Sequence, residues 1–390
     1  MEKRLNVHPW AEPPNANNDA LRRGASKLGI ATKVIPRNVK GCWNLGYCGM
    51  GCPTNAKQSM LITTIPSALE KGALLFSRTR AWKLETDARG RITHLTAQAM
   101  DARGIEPSGK TVTLRAKHFV LAGGAIGSPA LLLRSELPDP YGRVGKRTFL
   151  HPTLISAAIM PDAVDGFSGA PQSIYSDHFL HVAPIDGPIG FKLEVPPLHP
   201  VLVSTNMIGF GTAQAALMEQ FENMQIVIAL MRDGFNAASP GGSVGLKGDG
   251  TPELDYPMTP VLWDGARRAL QAMAEIQFAA GAKFVLPAHE NARPYGSPAE
   301  AKASIDAFPM EILRTCVASA HVMGGCAMGA DPRVAVVDGH GAHHHVENLS
   351  VFDGSMFPTS IGANPQLSIY GIVARNASRL AKGLTAGTPV

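Results

Sequence analysis

The chain has 390 residues, 45% of them hydrophobic and only 17% charged, with 40 glycines and 30 prolines. That balance excludes disorder, collagen-like repeats and coiled coil, and the length allows two or three loop-rich domains. Lys and Arg exceed Asp and Glu by 36 − 31 = +5 with no basic run, so there is no electrostatic footprint for nucleic acid and a small or neutral partner is expected.

The longest apolar stretches, such as Phe119–Leu133 and Ile226–Met231, fall short of the roughly 18 residues a membrane span requires, so no span is expected. Met1–Trp10 lacks the apolar core of a secretory signal. Five cysteines, three of them close together at Cys42, Cys48 and Cys52, do not read as a disulfide framework, and a reducing, cytoplasmic setting is the default.

Asn17 or Asn18 is placed to cap a helix through Leu21, Ala25 and Leu28 that ends at Gly29. After a loop over Gly41–Pro53, the stretches Ala73–Leu84, Ile92–Ala99 and Thr111–Arg115 read as a small antiparallel meander. Phe119 opens a buried strand that runs through Gly123 and Gly124 into a helix, with Ser128 placed to cap it and Pro129 at its first position. This is the order strand, phosphate loop, helix. The middle of the chain mixes strands over Pro200–Ile208, Gln225–Arg232 and Gly245–Tyr256 with a helix starting at Thr259-Pro260 that presents Leu262, Ala266, Ala269, Met273, Ile276 and Ala280. A last helix begins at Pro365 and puts Leu367, Tyr370, Ala374, Ala377 and Leu380 on one stripe.

The tail carries the densest motifs: His321-Val-Met-Gly-Gly-Cys-Ala-Met-Gly, then Val337-Asp-Gly, then Asn348-Leu-Ser-Val-Phe-Asp-Gly-Ser-Met-Phe-Pro, then Gly362-Ala-Asn-Pro-Gln-Leu. These resemble the glucose-methanol-choline (GMC) flavoprotein oxidoreductases, in the branch of cholesterol oxidase and long-chain alcohol oxidases. The Gly-Cys after His321-Val-Met-Gly, and Asn364 rather than a second histidine before Pro365, favour that branch. Gly124-Ala-Ile-Gly-Ser-Pro-Ala-Leu-Leu-Leu-Arg-Ser is similar to the family's second signature, and Gly51-Cys-Pro-Thr-Asn-Ala-Lys-Gln-Ser extends the resemblance upstream. One departure is that the signature normally continues Ser-Gly, whereas Glu136 follows Ser135.

The resemblance implies FAD as cofactor and oxidation of a CH–OH group. Removing a hydride from the carbinol carbon and a proton from its hydroxyl calls for a base and a second polar group on the oxygen; His321 is expected as base and Asn364 as the orienting group. The same resemblance implies cofactor contacts at Ala81, Gly123, Gly124, Asp353, Gly354, Asn364 and Pro365, the last at a helix N-terminus that suits the negative charge of a reduced flavin. Met207, Met218, Met224 and Met231 suggest an adaptable apolar pocket and hence an apolar alcohol, sterol-like or otherwise.

The expected fold is α/β: a partial FAD-binding, Rossmann-like domain (56–146 and 331–390) interleaved with a substrate domain (1–55 and 147–330) built on a mostly antiparallel sheet with helices on one side. No G-x-G-x-x-G unit is present; the nearest match, Gly209-Phe-Gly-Thr-Ala-Gln, has Gln214 at the third glycine. The alternative reading is therefore a truncated or split, non-catalytic module that needs a complementing N-terminal chain. The resemblance raises an iron–sulfur cluster at Cys42, Cys48 and Cys52, since some family members carry one in this region, but their irregular spacing is a weak signal and His340, His343, His344 and His345 read as a turn, so no metal is expected. Gly241-Gly-Ser-Val-Gly matches a hydrolase nucleophile elbow around Ser243, but turn composition before it and Gly245-Leu-Lys-Gly-Asp-Gly after it do not join a strand to a helix.

Overall fold

The computed structural model describes residues 1–207 and 209–386. The described residues build two large apolar cores and two smaller clusters. The larger lies on one face of a six-stranded sheet ordered Phe284–Pro287, Thr153–Ile159, Met224–Met231, Phe191–Glu194, Ile174–Ser176 and Lys33–Val34, with every neighbouring pair antiparallel. Alternation does the sorting: Leu154, Val227, Ala229, Met231, Phe191 and Leu193 all point to this core, and intervening residues such as Ile155, Ala157, Ile159, Met224 and Ile226 point to the other face.

Two helices cover the core face, Ala16–Lys27 and Pro260–Ala280. The second is begun by Thr259, whose side chain accepts from the Leu262 N–H, and ended by Gly281 in the left-handed region at φ 103°. The two helices touch through Gly24, where an added Cβ would lie 2.1 Å from the Ile276 carbonyl oxygen.

The smaller core gathers Leu84, Ile92, Phe119, Leu121, Leu131, Leu132, Leu349, Val351 and Leu380. Its frame is a parallel pair, Phe119–Leu121 with Leu349–Val351, and the three-stranded meander Thr79–Thr86, Ile92–Met100 and Pro107–Leu114. Helices Gly124–Arg134 and Gln366–Ala386 pack on it. The buried Asn348 side chain bonds both the N–H (3.0 Å) and the carbonyl (2.8 Å) of Ile92, tying meander to parallel pair.

Several local expectations are corrected. Asn15, not Asn17 or Asn18, caps the first helix. The other two asparagines are fully buried and reach across the core, Asn17 to the Ile226 N–H and Asn18 to those of Ser173 and Ile174. Pro200–Asn206 is a helix rather than a strand, with Pro200 in its first turn; Ile208, the end of that expected strand, lies outside the described residues. With Thr212–Met218 this helix belongs to the second sheet face, so helices are not confined to one side. Gly245–Tyr256 divides into a hairpin of Gly242–Leu246 with Pro252–Asp255, and Ser243 sits in its first strand with no elbow.

The glycine-rich turn after Leu121 enters its helix at Gly124, so Pro129 is interior and Ser128 is not the cap. On the last helix the stripe is displaced by about one position. Asn376 and Leu380 are buried and Ile372 and Val373 pack on the core, while Ala377 is exposed.

Candidate functional site

The strand Phe191-Lys-Leu-Glu alternates. Phe191 and Leu193 enter the main core, so Lys192 and Glu194 must share the opposite face. Both are buried, with side-chain exposures of 10% and 1%, and form an ion pair. Tyr175 stands directly opposite Glu194 in the neighbouring strand, and its ring centre is 4.3 Å from Lys192 Nζ. Asn364 closes the group: its Oδ1 accepts from Lys192 Nζ at 2.9 Å and its Nδ2 donates to Glu194 Oε2 at 3.3 Å. Gln172 Nε2 donates to the same carboxylate oxygen at 3.0 Å. A buried charge pair holds its place only when its remaining donors and acceptors are met, and here Asn364, Gln172 and Tyr175 meet them.

His321 approaches from the other wall. Its Nδ1 lies 2.9 Å from Nδ1 of His151. Burial lowers the His321 pKa, the Glu194 carboxylate works against that and Lys192 adds to it. His151 is pushed down to about 3, by burial first and then by His321 and Lys192. Thus His151 is neutral at any ordinary pH.

His321, Asn364, Lys192 and Glu194 line one cavity of about 780 Å³, together with Pro365, Gln366 and Ile369 of the last helix's first turn. First-turn N–H groups have no partner within their own helix, so this wall offers hydrogen-bond donors and positive potential to an anionic ring. A second depression of about 540 Å³ runs between the meander and the Gly124–Arg134 helix, lined by Ala81, Trp82, Leu121, Gly123, Gly127 and Arg134 among others.

Asp353 and Gly354 stand between the linings of the two depressions. Asp353 Oδ2 accepts from the Gly124 N–H at 2.9 Å and from Ser128 Oγ, while Oδ1 accepts from the Ser355 N–H and hydroxyl. An added Cβ on Gly354 would lie 3.2 Å from Ile369 and 3.6 Å from the Val322 carbonyl, both on the cavity side. Of the residues expected at a cofactor, Ala81 and Gly123 line the groove and Asn364 and Pro365 line the cavity, while Gly124, Asp353 and Gly354 line neither. Asp353 acts as a buttress, its oxygens occupied by this chain's own donors. The donor set suits a long dinucleotide with an apolar slot at one end and a polar, helix-capped seat at the other.

His151, Lys192, Glu194, Gln172 and Tyr175 were not singled out in the sequence. The legible signal was two opposite charges two residues apart inside an otherwise apolar strand. The four methionines taken to suggest an apolar pocket are packing residues: Met231 belongs to the main core, and Met224, Met207 and Met218 to a cluster under the short helices. Cys42, Cys48 and Cys52 line one small depression, yet no group of three or more His, Cys, Asp or Glu among the described residues is arranged to hold a metal. His343 Nδ1 accepts the His345 N–H and His344 Nε2 contacts the Gly329 carbonyl, so both belong to the turn. No helix among the described residues is long and apolar enough to cross a membrane.

Comparison with known proteins adds the lineage. The N-terminal family model of GMC oxidoreductases matches residues 1–153 and the C-terminal one matches 238–372. An uncharacterised GMC-type oxidoreductase of Sinorhizobium fredii is 28% identical over 96% of this chain and 70% of its own length. A long-chain-alcohol oxidase of Arabidopsis thaliana is 27% identical over 95% of this chain but 51% of its own length, so the chain spans about half of that relative. Pyridoxine 4-oxidase from Mesorbium loti, 18% identical, superposes with a TM-score of 0.66 over 96% of this chain and 71% of its own, which establishes a common fold. The chain belongs to the GMC oxidoreductase family.

Proposed function

We propose that this chain carries the alcohol-oxidising site of an FAD-dependent oxidoreductase, with His321 as proton acceptor and Asn364 orienting the substrate oxygen. The observation that supports it is the meeting of His321 and Asn364, 43 positions apart in sequence, on one cavity beside a buried Lys192–Glu194 pair and an open helix N-terminus. FAD, when bound, would take the hydride from the carbinol carbon. The chain's own groups do the rest: Nε2 of His321 makes no hydrogen bond among the described residues and takes the hydroxyl proton, Asn364 is fixed at both ends of its amide by Lys192 and Glu194, and the lysine's charge favours the oxygen as its proton leaves.

The substrate we infer is a polar primary or secondary alcohol rather than a sterol. Arg37, Asn38, Gln172, Asp177, Lys192 and Glu194 share the cavity lining with apolar Leu5, Val7, Ile35, Leu180 and Leu367, and an alcohol that brings further polar groups of its own keeps the polar part of that lining solvated. The test is to titrate the purified chain with FAD, follow the visible flavin band, and add a panel of polar and of long-chain or sterol alcohols without oxygen. Bleaching by polar alcohols supports the proposal. A flavin band that no alcohol bleaches removes the oxidase reading, and a chain that takes up no FAD favours the reading in which a complementing dinucleotide-binding segment is required.

A further inference from the structure

The pairing of two histidines at their Nδ1 atoms sets a proton problem. At 2.9 Å the two nitrogens must share one proton, since two lone pairs or two N–H groups facing each other would repel. The arrangement is rigid. Residues 318 and 153 exchange a pair of backbone bonds (2.8 and 3.1 Å), the His151 N–H donates to Ser319 Oγ at 3.1 Å, and Thr153 Oγ1 donates to the His151 carbonyl at 3.0 Å. His151 is 1% exposed and its Nε2 has no partner among the described residues, so among them its side chain bonds the His321 ring alone.

We propose that His151 is the positioning residue of His321: it accepts the Nδ1–H of His321 whenever His321 carries a second proton on Nε2, and so keeps that Nε2 aimed at the cavity. This rests on the reading of His321 as proton acceptor. In the step concerned, the substrate O–H bond breaks and an Nε2–H bond forms on His321. The resulting imidazolium has two N–H donors. One faces the substrate oxygen, and the other needs an acceptor, which in this wall is Nδ1 of His151. A neutral His151 can fill the place, because its Nδ1 then offers a lone pair, whereas a charged histidine could not accept at all. Burial keeps His151 neutral, and the charged groups facing the pair, Glu194 and Lys192 on the Phe191–Glu194 strand, favour the cation on His321 in the first case and oppose it in the second. The role matches that of the third member of a catalytic triad, with a lone pair in place of a negative charge.

The experiment is a titration of the histidine ring nitrogens by NMR in the flavin-free full chain with labelled histidine, His321 being assigned by its loss in His321→Gln. In His151→Phe, which keeps the ring volume and removes the acceptor, the His321 titration is expected to move down by about one to two pH units, the size of a hydrogen bond to a charged group. His151→Asn, whose Oδ1 can occupy the Nδ1 position, is expected to restore it. In FAD-loaded protein the rate of alcohol-dependent flavin reduction is expected to fall about tenfold or more in His151→Phe with KM less affected, and to recover in His151→Asn. An unmoved His321 titration in His151→Phe, or equal shifts in the two variants, overturns the proposal. So does the parent itself if Nδ1 of His151 gains a proton as His321 titrates, a readout that needs no variant. If no form of the protein oxidises an alcohol, the proton-acceptor reading fails while the titration still decides whether His151 and His321 are coupled.

Discussion

Replacing Glu194 with leucine would leave Lys192 charged and buried with no counter-ion. Glu194 is fully buried and Lys192 is 8% exposed. The change removes the ion pair together with the bonds that the carboxylate accepts from Gln172 and Asn364. Breaking such a pair from one side destabilises by about 3–5 kcal/mol, because the remaining ion keeps its desolvation penalty and loses its partner. Replacing both members by apolar residues of similar size, Lys192→Met with Glu194→Leu, removes that penalty and is expected to return stability to within about 1 kcal/mol of the parent or above it. Urea unfolding followed by tryptophan fluorescence and by circular dichroism measures both, as shifts of midpoint at constant slope. The two readouts of the double variant should then part company. It is expected to be as stable as the parent yet slow in flavin reduction, since Asn364 has lost both anchors. A double variant as unstable as the two single losses summed would refute the view that an uncompensated charge is what the single variant suffers from.

Asn18→Ala strips the acceptor from two buried backbone N–H groups, those of Ser173 and Ile174, and is expected to lower the unfolding free energy by about 2–4 kcal/mol in the same urea assay. Gly24→Ala drives a methyl into the Ile276 carbonyl, which neither helix can avoid without moving, and is expected to cost about 1–3 kcal/mol. Acid should weaken the fold through its buried neutral histidines, His343 pushed down to about 4 and His151 to about 3 from the ordinary 6.5. Their contribution is complete above about pH 6.5 and is lost as pH falls toward those lowered values, because the unfolded chain then binds the extra protons. Urea midpoints across that window should fall less steeply in His343→Leu than in the parent.

Motifs that depend on local chemistry were legible in the sequence, and features that depend on long-range pairing were not. Thr259-Pro260 announced its helix because capping and proline act within one turn. The meander and the strand into Gly123-Gly124 were visible by composition. His321 and Asn364 were found through the motifs around them. Pro200–Asn206 misled because its apolar residues fit either period over so short a run. The strand Phe191–Glu194 was passed over for a related reason. Four residues carry too little pattern, and a lysine and a glutamate inside a strand look like a solvated edge until Tyr175 of the neighbouring strand and Asn364, far away in sequence, are seen to cover them. Asn17 and Asn18 likewise resemble caps until the sheet brings Ile226 and Ser173 within reach. His151 had no motif of its own, and its importance lies wholly in the ring it faces.

The most direct test of the account is the rate at which a polar alcohol, mixed without oxygen, bleaches the flavin band of FAD-loaded protein in the parent and in His321→Ala. If Nε2 of His321 takes the hydroxyl proton, the variant should retain its flavin band and its fold while the reduction rate falls by about 100-fold or more. A His321→Ala protein that bleaches within a factor of about three of the parent, at the same alcohol concentration and pH, would contradict the role of His321 and with it the proposed mechanism.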